Sequence, residues 1–98
     1  MKFVQLIEFQ TSRIDDFNKL VDEWIKESEG WRAPTRSMQT KDRDRTNTYM
    51  QIVEFPSYEA AMKNSDRPET AAFAKRLAEV CDGPPTFRNL DVDREEEL

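Results

Sequence analysis

The stretch Phe3 to Phe9, FVQLIEF, returns 46 residues later as YMQIVEF, Tyr49 to Phe55. Gln, Glu and the final Phe recur in place, and every other position exchanges one apolar residue for another. Both copies alternate with the period of a strand whose two faces differ. A chain that writes one strand twice is built from two similar halves, so the segments after the two copies can be compared directly.

After the first copy, Thr11 and Ser12 are helix-capping residue types, and Asp15 and Asp16 fall in a first turn, where the helix dipole favours acid. Ile14, Phe17, Leu20, Val21, Trp24 and Ile25 then recur at helical spacing. Gly30 suits the left-handed residue past a helix end, so a helix over about residues 13–28 is predicted. After the second copy, Pro56-Ser57 is again a stop and a cap, and Tyr58, Ala61 and Met62 begin another apolar stripe. Asn64 to Pro68 interrupts that stripe, because the residue before a proline resists helical geometry. Pro68 and Glu69 suit the first turn of a fresh helix. Phe73, Ala74, Leu77, Ala78 and Cys81 carry the stripe to the stop Asp82-Gly83-Pro84-Pro85.

Arg32–Lys41 and Thr86–Val92 read as strands, with Asp42 to Arg45 as a solvated hairpin tip rather than an anion site. The order β-α-β twice over predicts a ferredoxin-like α+β domain: an antiparallel four-stranded sheet, helices on one face, the repeated strands side by side at the centre. Residues 1–92 are expected to form this single domain and 93–98 a charged, solvated tail.

Alternation sorts the repeat into two sets. Val4, Leu6, Glu8, Met50, Ile52 and Glu54 are mostly aliphatic and are expected under the helices. Phe3, Gln5, Ile7 and Phe9 with Tyr49, Gln51, Val53 and Phe55 mix aromatics with amides, and amides are costly in a core unless hydrogen-bonded. That set is expected on the open sheet face. With 37% apolar and 36% charged residues the core is thin, so a second copy of the chain is expected to cover the open face as a homodimer.

The layout FPSYEAAMKNSDRPETAAF, with the repeated strands before it, resembles the dimeric α/β-barrel superfamily, and within it the antibiotic-biosynthesis-monooxygenase-like proteins. The resemblance implies two ferredoxin-like units meeting through their sheets. It implies a small-molecule pocket and, in some members, oxygen chemistry on an aromatic or polyketide-like substrate without a cofactor. On that resemblance Gln5 corresponds to a polar cavity residue of the monooxygenases and Phe55 to an aromatic of the haem-degrading members. Gln5, Tyr49, Gln51 and Phe55 are the expected pocket residues. Trp31 and Arg32, at the start of the second strand, are candidates for a lid over its mouth, against the plainer reading of edge packing. A ligand-binding or structural dimer without turnover remains the alternative, and no catalytic residue is assigned.

Other classes are disfavoured by the inventory. No histidine is present, which removes the usual haem axial ligand and histidine acid–base catalysis; no cofactor is expected. One cysteine and scattered carboxylates make no metal-ligand spacing, so no metal is expected. Cys81 lies on the helical stripe and reads as a buried thiol. RNA-recognition domains share the element order, but the basic and glycine residues of their third strand are missing and the net charge is −5, so nucleic acid is not an expected partner. No apolar run is long enough for a membrane helix, and with no secretory signal pattern and a lone cysteine a cytoplasmic location is expected.

Overall fold

The computed structural model describes all 98 residues. Its elements are β1 (Phe3–Gln10), α1 (Ile14–Glu27), β2 (Arg36–Lys41), β3 (Thr48–Phe55), α2 (Tyr58–Ser65), α3 (Pro68–Glu79) and β4 (Thr86–Asp91). The four strands form one antiparallel sheet in the order β2-β3-β1-β4. This is the ferredoxin-like α+β fold, with the two repeats as its central pair. Leu6 pairs with Ile52, Phe3 with Phe55 and Phe9 with Tyr49. Equivalent repeat positions thus exchange across the Leu6–Ile52 pair, and a local twofold axis normal to the sheet passes through it.

The second helical stripe does break before Pro68, but more briefly than the sequence suggested: Asn64 and Ser65 complete α2, and only Asp66 and Arg67 separate it from α3. Ser57 caps α2 by accepting from the Ala60 N–H at 3.1 Å, and Pro68 opens α3 at a position that needs no N–H donor. Two further local expectations are corrected. Neither Thr11 nor Ser12 caps α1; Arg13 is the N-cap and makes no side-chain bond there. Thr11 is instead 1% exposed; it donates its hydroxyl to the Val80 carbonyl and accepts from the Arg13 N–H, tying the end of β1 to the end of α3. The second strand starts at Arg36, four residues later than read, because Arg32 is occupied in donating to the Ile25 carbonyl at 2.9 Å and so closes the end of α1. Gly30 does take a left-handed φ of 92°, in the turn after α1.

The main correction concerns the faces of the sheet. Phe3, Phe9, Tyr49 and Phe55 lie against the helices, each 7% exposed or less. Phe9 stacks on Phe17 of α1 with ring centroids 4.3 Å apart and on Tyr49 at 5.4 Å; Val80 completes this cluster. Phe3 and Phe55 pack on Ala61 of α2 at the other end of the sheet. The aliphatic set Val4, Leu6, Met50 and Ile52 therefore occupies the open face, beside Met38 of β2 and Leu90 of β4. The inversion has a plain cause. Gln5 donates to Asn89 of β4 at 3.2 Å, and Gln51 donates to Ser37 of β2. Partners on the flanking strands remove the penalty that argued against amides beneath the helices.

On the open face Glu54 takes Lys2 at 2.7 Å and lies 3.9 Å from Arg36. The hydrogen bond from Lys2 holds the Glu54 carboxyl below its ordinary range, and the same contact raises the Lys2 ammonium. Lys2 also reaches Glu95, so the C-terminal segment lies across the start of β1. No helix is long and apolar enough to cross a membrane.

Candidate functional site

The two aromatic clusters stand at opposite ends of the sheet and separate the helices from its middle. There Gln5, Ile7, Gln51 and Val53 form the floor of a cavity of about 360 Å³, within the ~300–1,000 Å³ usual for small-molecule sites. Val21 and Trp24 of α1, Asn64 of α2, and Thr70, Phe73, Ala74 and Leu77 of α3 line it from the helix side, and it opens to solvent. Helix α3 faces the floor with the small side chains Ala71, Ala74 and Ala78, and their size keeps the space open. The edge strand β4 contributes Phe87, which is 54% exposed.

Of the residues singled out in the sequence, Gln5, Gln51 and Phe55 line this cavity. It lies beneath the helices rather than on the open sheet face. Tyr49 is packed in the Phe9 cluster, outside the cavity walls. Trp31 and Arg32 are also outside them. Trp31 donates its indole N–H to the Glu27 carbonyl at 3.0 Å and carries the Arg67 guanidinium over its ring at 4.0 Å. Trp31 borders a second hollow of about 310 Å³ between α1 and α3. The stacked pair Trp24–Phe73, with centroids 5.3 Å apart, lines both spaces.

Three polar residues of the wall were not anticipated. Four buried side-chain polar atoms in the chain have no hydrogen-bond partner, and three of them belong to cavity residues: Trp24 Nε1, Asn64 Oδ1 and Thr70 Oγ1. Asn64 is 7% exposed. A buried polar group without a partner costs about 1–3 kcal/mol, and three such groups belong to residues lining the same hollow. They offer a donor, an acceptor and a hydroxyl that can be either. A signal existed in the sequence: Asn64 is one helical step from Ala61 and Thr70 one step from Phe73, so each interrupts an apolar stripe from within.

Cys81 is the one residue of the wall that could carry a charge by titration, and burial, aided by Asp82, pushes its thiol up. No three His, Cys, Asp or Glu side chains converge as a metal site would need.

No protein-family model matches the sequence, and no curated protein matches it. Solved structures do. SnoaB, a cofactor-independent oxygenase from Streptomyces nogalater, superposes with a TM-score of 0.80 over 96% of this chain and 95% of its own at 13% identity. A Caulobacter crescentus protein with the provisional name antibiotic biosynthesis monooxygenase gives 0.80 over 95% and 91% at 11% identity. Rv0793 from Mycobacterium tuberculosis gives 0.75 over 99% and 100% at 14% identity. The chain thus has the ferredoxin-like fold seen in antibiotic-biosynthesis-monooxygenase-type structures, and at these identities the likeness is one of fold.

Proposed function

We propose that the cavity takes a flat aromatic molecule bearing a hydroxyl and a carbonyl group, and that the protein oxygenates it without a bound cofactor. The observation that carries this reading is one hollow lined by aromatic rings and by three residues, Trp24, Asn64 and Thr70, each of which has a buried polar atom without a hydrogen-bond partner. The fold likeness to a cofactor-independent oxygenase supports the chemical half of it. For a substrate with an activated methylene the reaction balances with dioxygen alone. One oxygen atom becomes the new carbonyl, the other leaves as water with the two methylene hydrogens, and the substrate supplies all the electrons.

The protein's own contribution is binding and orientation. In this reading the Asn64 amide meets the ligand hydroxyl and the Trp24 indole supplies a donor for the oxygen on which negative charge develops, both groups turning from their buried positions as the ligand enters. Gln5, Gln51 and Phe55 form part of the surface beneath the ring system. Incubation with a tricyclic phenolic ketone under ¹⁸O₂ tests this: one dioxygen consumed per product, with label in the new carbonyl, is expected. Tight binding with no dioxygen uptake would leave the second reading, a ligand-binding protein. One observation favours that alternative: no side chain in the wall accepts a proton readily at neutral pH.

The open sheet face is proposed to meet a second copy of the chain. Val4, Leu6, Met38, Met50, Ile52 and Leu90 form an apolar surface across all four strands, and Met38 and Leu90 are 54% and 44% exposed. Patches of this kind are rarely left to solvent. Sedimentation equilibrium at micromolar concentration is expected to give twice the 11.6 kDa chain mass. Ile52→Lys is expected to give a folded monomer, since both aromatic clusters lie on the other side of the sheet. A wild-type monomer would refute this assembly.

A further inference from the structure

Charge is missing from the cavity wall. Charged residues make up 36% of the chain, yet none of the 23 residues lining the cavity is Asp, Glu, Lys or Arg. The wall follows the inner side of the sheet and helices, where charged side chains are rare, and it offers a guest no opposite charge. Of the cations beside α3, Arg76 pairs with Glu23 at 3.0 Å, and Arg67 lies over Trp31 with its Nε 3.4 Å from Glu69, although that Nε is the fourth buried atom without a hydrogen-bond partner. The start of α3 does not substitute for them. The N–H groups of Thr70 and Ala71 both bond back to the Arg67 carbonyl at 3.1 Å and are not offered to an anion.

From this we infer that the cavity selects its ligand in an uncharged form and discriminates against both anions and cations of the same shape. The inference rests on the reading of the cavity as a ligand site and deepens it. A charge entering such a wall gives up its water without gaining an opposite charge, whereas neutral hydroxyl and carbonyl groups lose less on entry and have the polar side chains of Trp24, Asn64 and Thr70 within the wall as partners. A further consequence concerns supply. A substrate carried on a charged or phosphorylated handle must be released from it, by hydrolysis or cyclisation, before it can be held here.

Three probes of nearly equal size separate the possibilities at pH 7 in the full chain: neutral 2-naphthol, naphthalene-2-sulfonate, and 2-naphthylmethylamine as its ammonium. Binding is followed by calorimetry and by quenching of indole fluorescence, with Ala74→Phe as a variant whose added ring fills the cavity from a helix position. The naphthol is expected to bind at least tenfold more tightly than either ion, and to lose that binding in Ala74→Phe. The ammonium probe is the decisive arm, because the net charge of −5 attracts it at long range. An ion that binds within threefold of naphthol and is displaced by Ala74→Phe overturns the selectivity while the ligand site stands. Failure of all three probes to bind, or binding unchanged by Ala74→Phe, removes the ligand site and the selectivity with it.

Discussion

Phe9→Ala is expected to lower the unfolding free energy by about 3–5 kcal/mol, a large part of the ~5–15 kcal/mol typical of a small domain. Phe9 is 3% exposed and joins three elements: its ring stacks on Phe17 of α1 and on Tyr49 of β3, with Val80 closing the cluster. Removing it leaves a void bordered by rigid rings that collapse poorly. The comparison is Phe87→Ala, at a half-exposed ring on the edge strand, where a loss under about 1 kcal/mol is expected. Urea denaturation of both variants at equal protein concentration makes the test. Equal losses at the two positions would mean that the Phe9 cluster does not hold α1 to the sheet.

Asn64→Leu is expected to act in the opposite direction on stability and to damage binding. The buried Oδ1 atom has no partner, and an apolar side chain of similar size relieves a penalty of about 1–3 kcal/mol. The melting temperature should therefore rise. At the same time the amide proposed to meet the ligand hydroxyl disappears, and naphthol binding is expected to weaken about tenfold, the equivalent of about 1.4 kcal/mol. Gain of stability with loss of binding is what a residue kept for its ligand produces. Thermal denaturation and calorimetry on the same preparation read both effects. A variant that melts lower and binds normally would assign Asn64 a structural role.

The parts of the molecule that local chemistry dictates were legible in the sequence. The repeated strands, the proline that opens α3 and the Ser57 cap depend on residues within a few positions of one another. The faces of the sheet depend on something else. Alternation separates Gln5 and Gln51 from Leu6 and Ile52, yet it does not say which set the helices cover. That was decided by Asn89 and Ser37 on flanking strands, which satisfy the amides through contacts spanning 84 and 14 positions. The same limit hid part of the site. Asn64 was read as the edge of a loop, and its place in a wall becomes visible only when α2 and α3 are set over the floor. Tyr49, with the same alternation as Gln51, went to the packing cluster because it stands at the end of the sheet rather than its middle.

The twofold relation of the central strands bears on regiochemistry. Gln5 and Gln51 are equivalent under the axis through Leu6 and Ile52, so a planar guest can lie on this floor in either of two orientations and meet an amide at the same place. The roof has no such symmetry. One half is the unbroken helix α1, and the other is split between α2 and α3, with Asn64 and Thr70 beside the split. If the cavity holds a substrate as proposed, these two side chains, rather than the floor, would decide which end of it is held and which of its positions is presented for reaction.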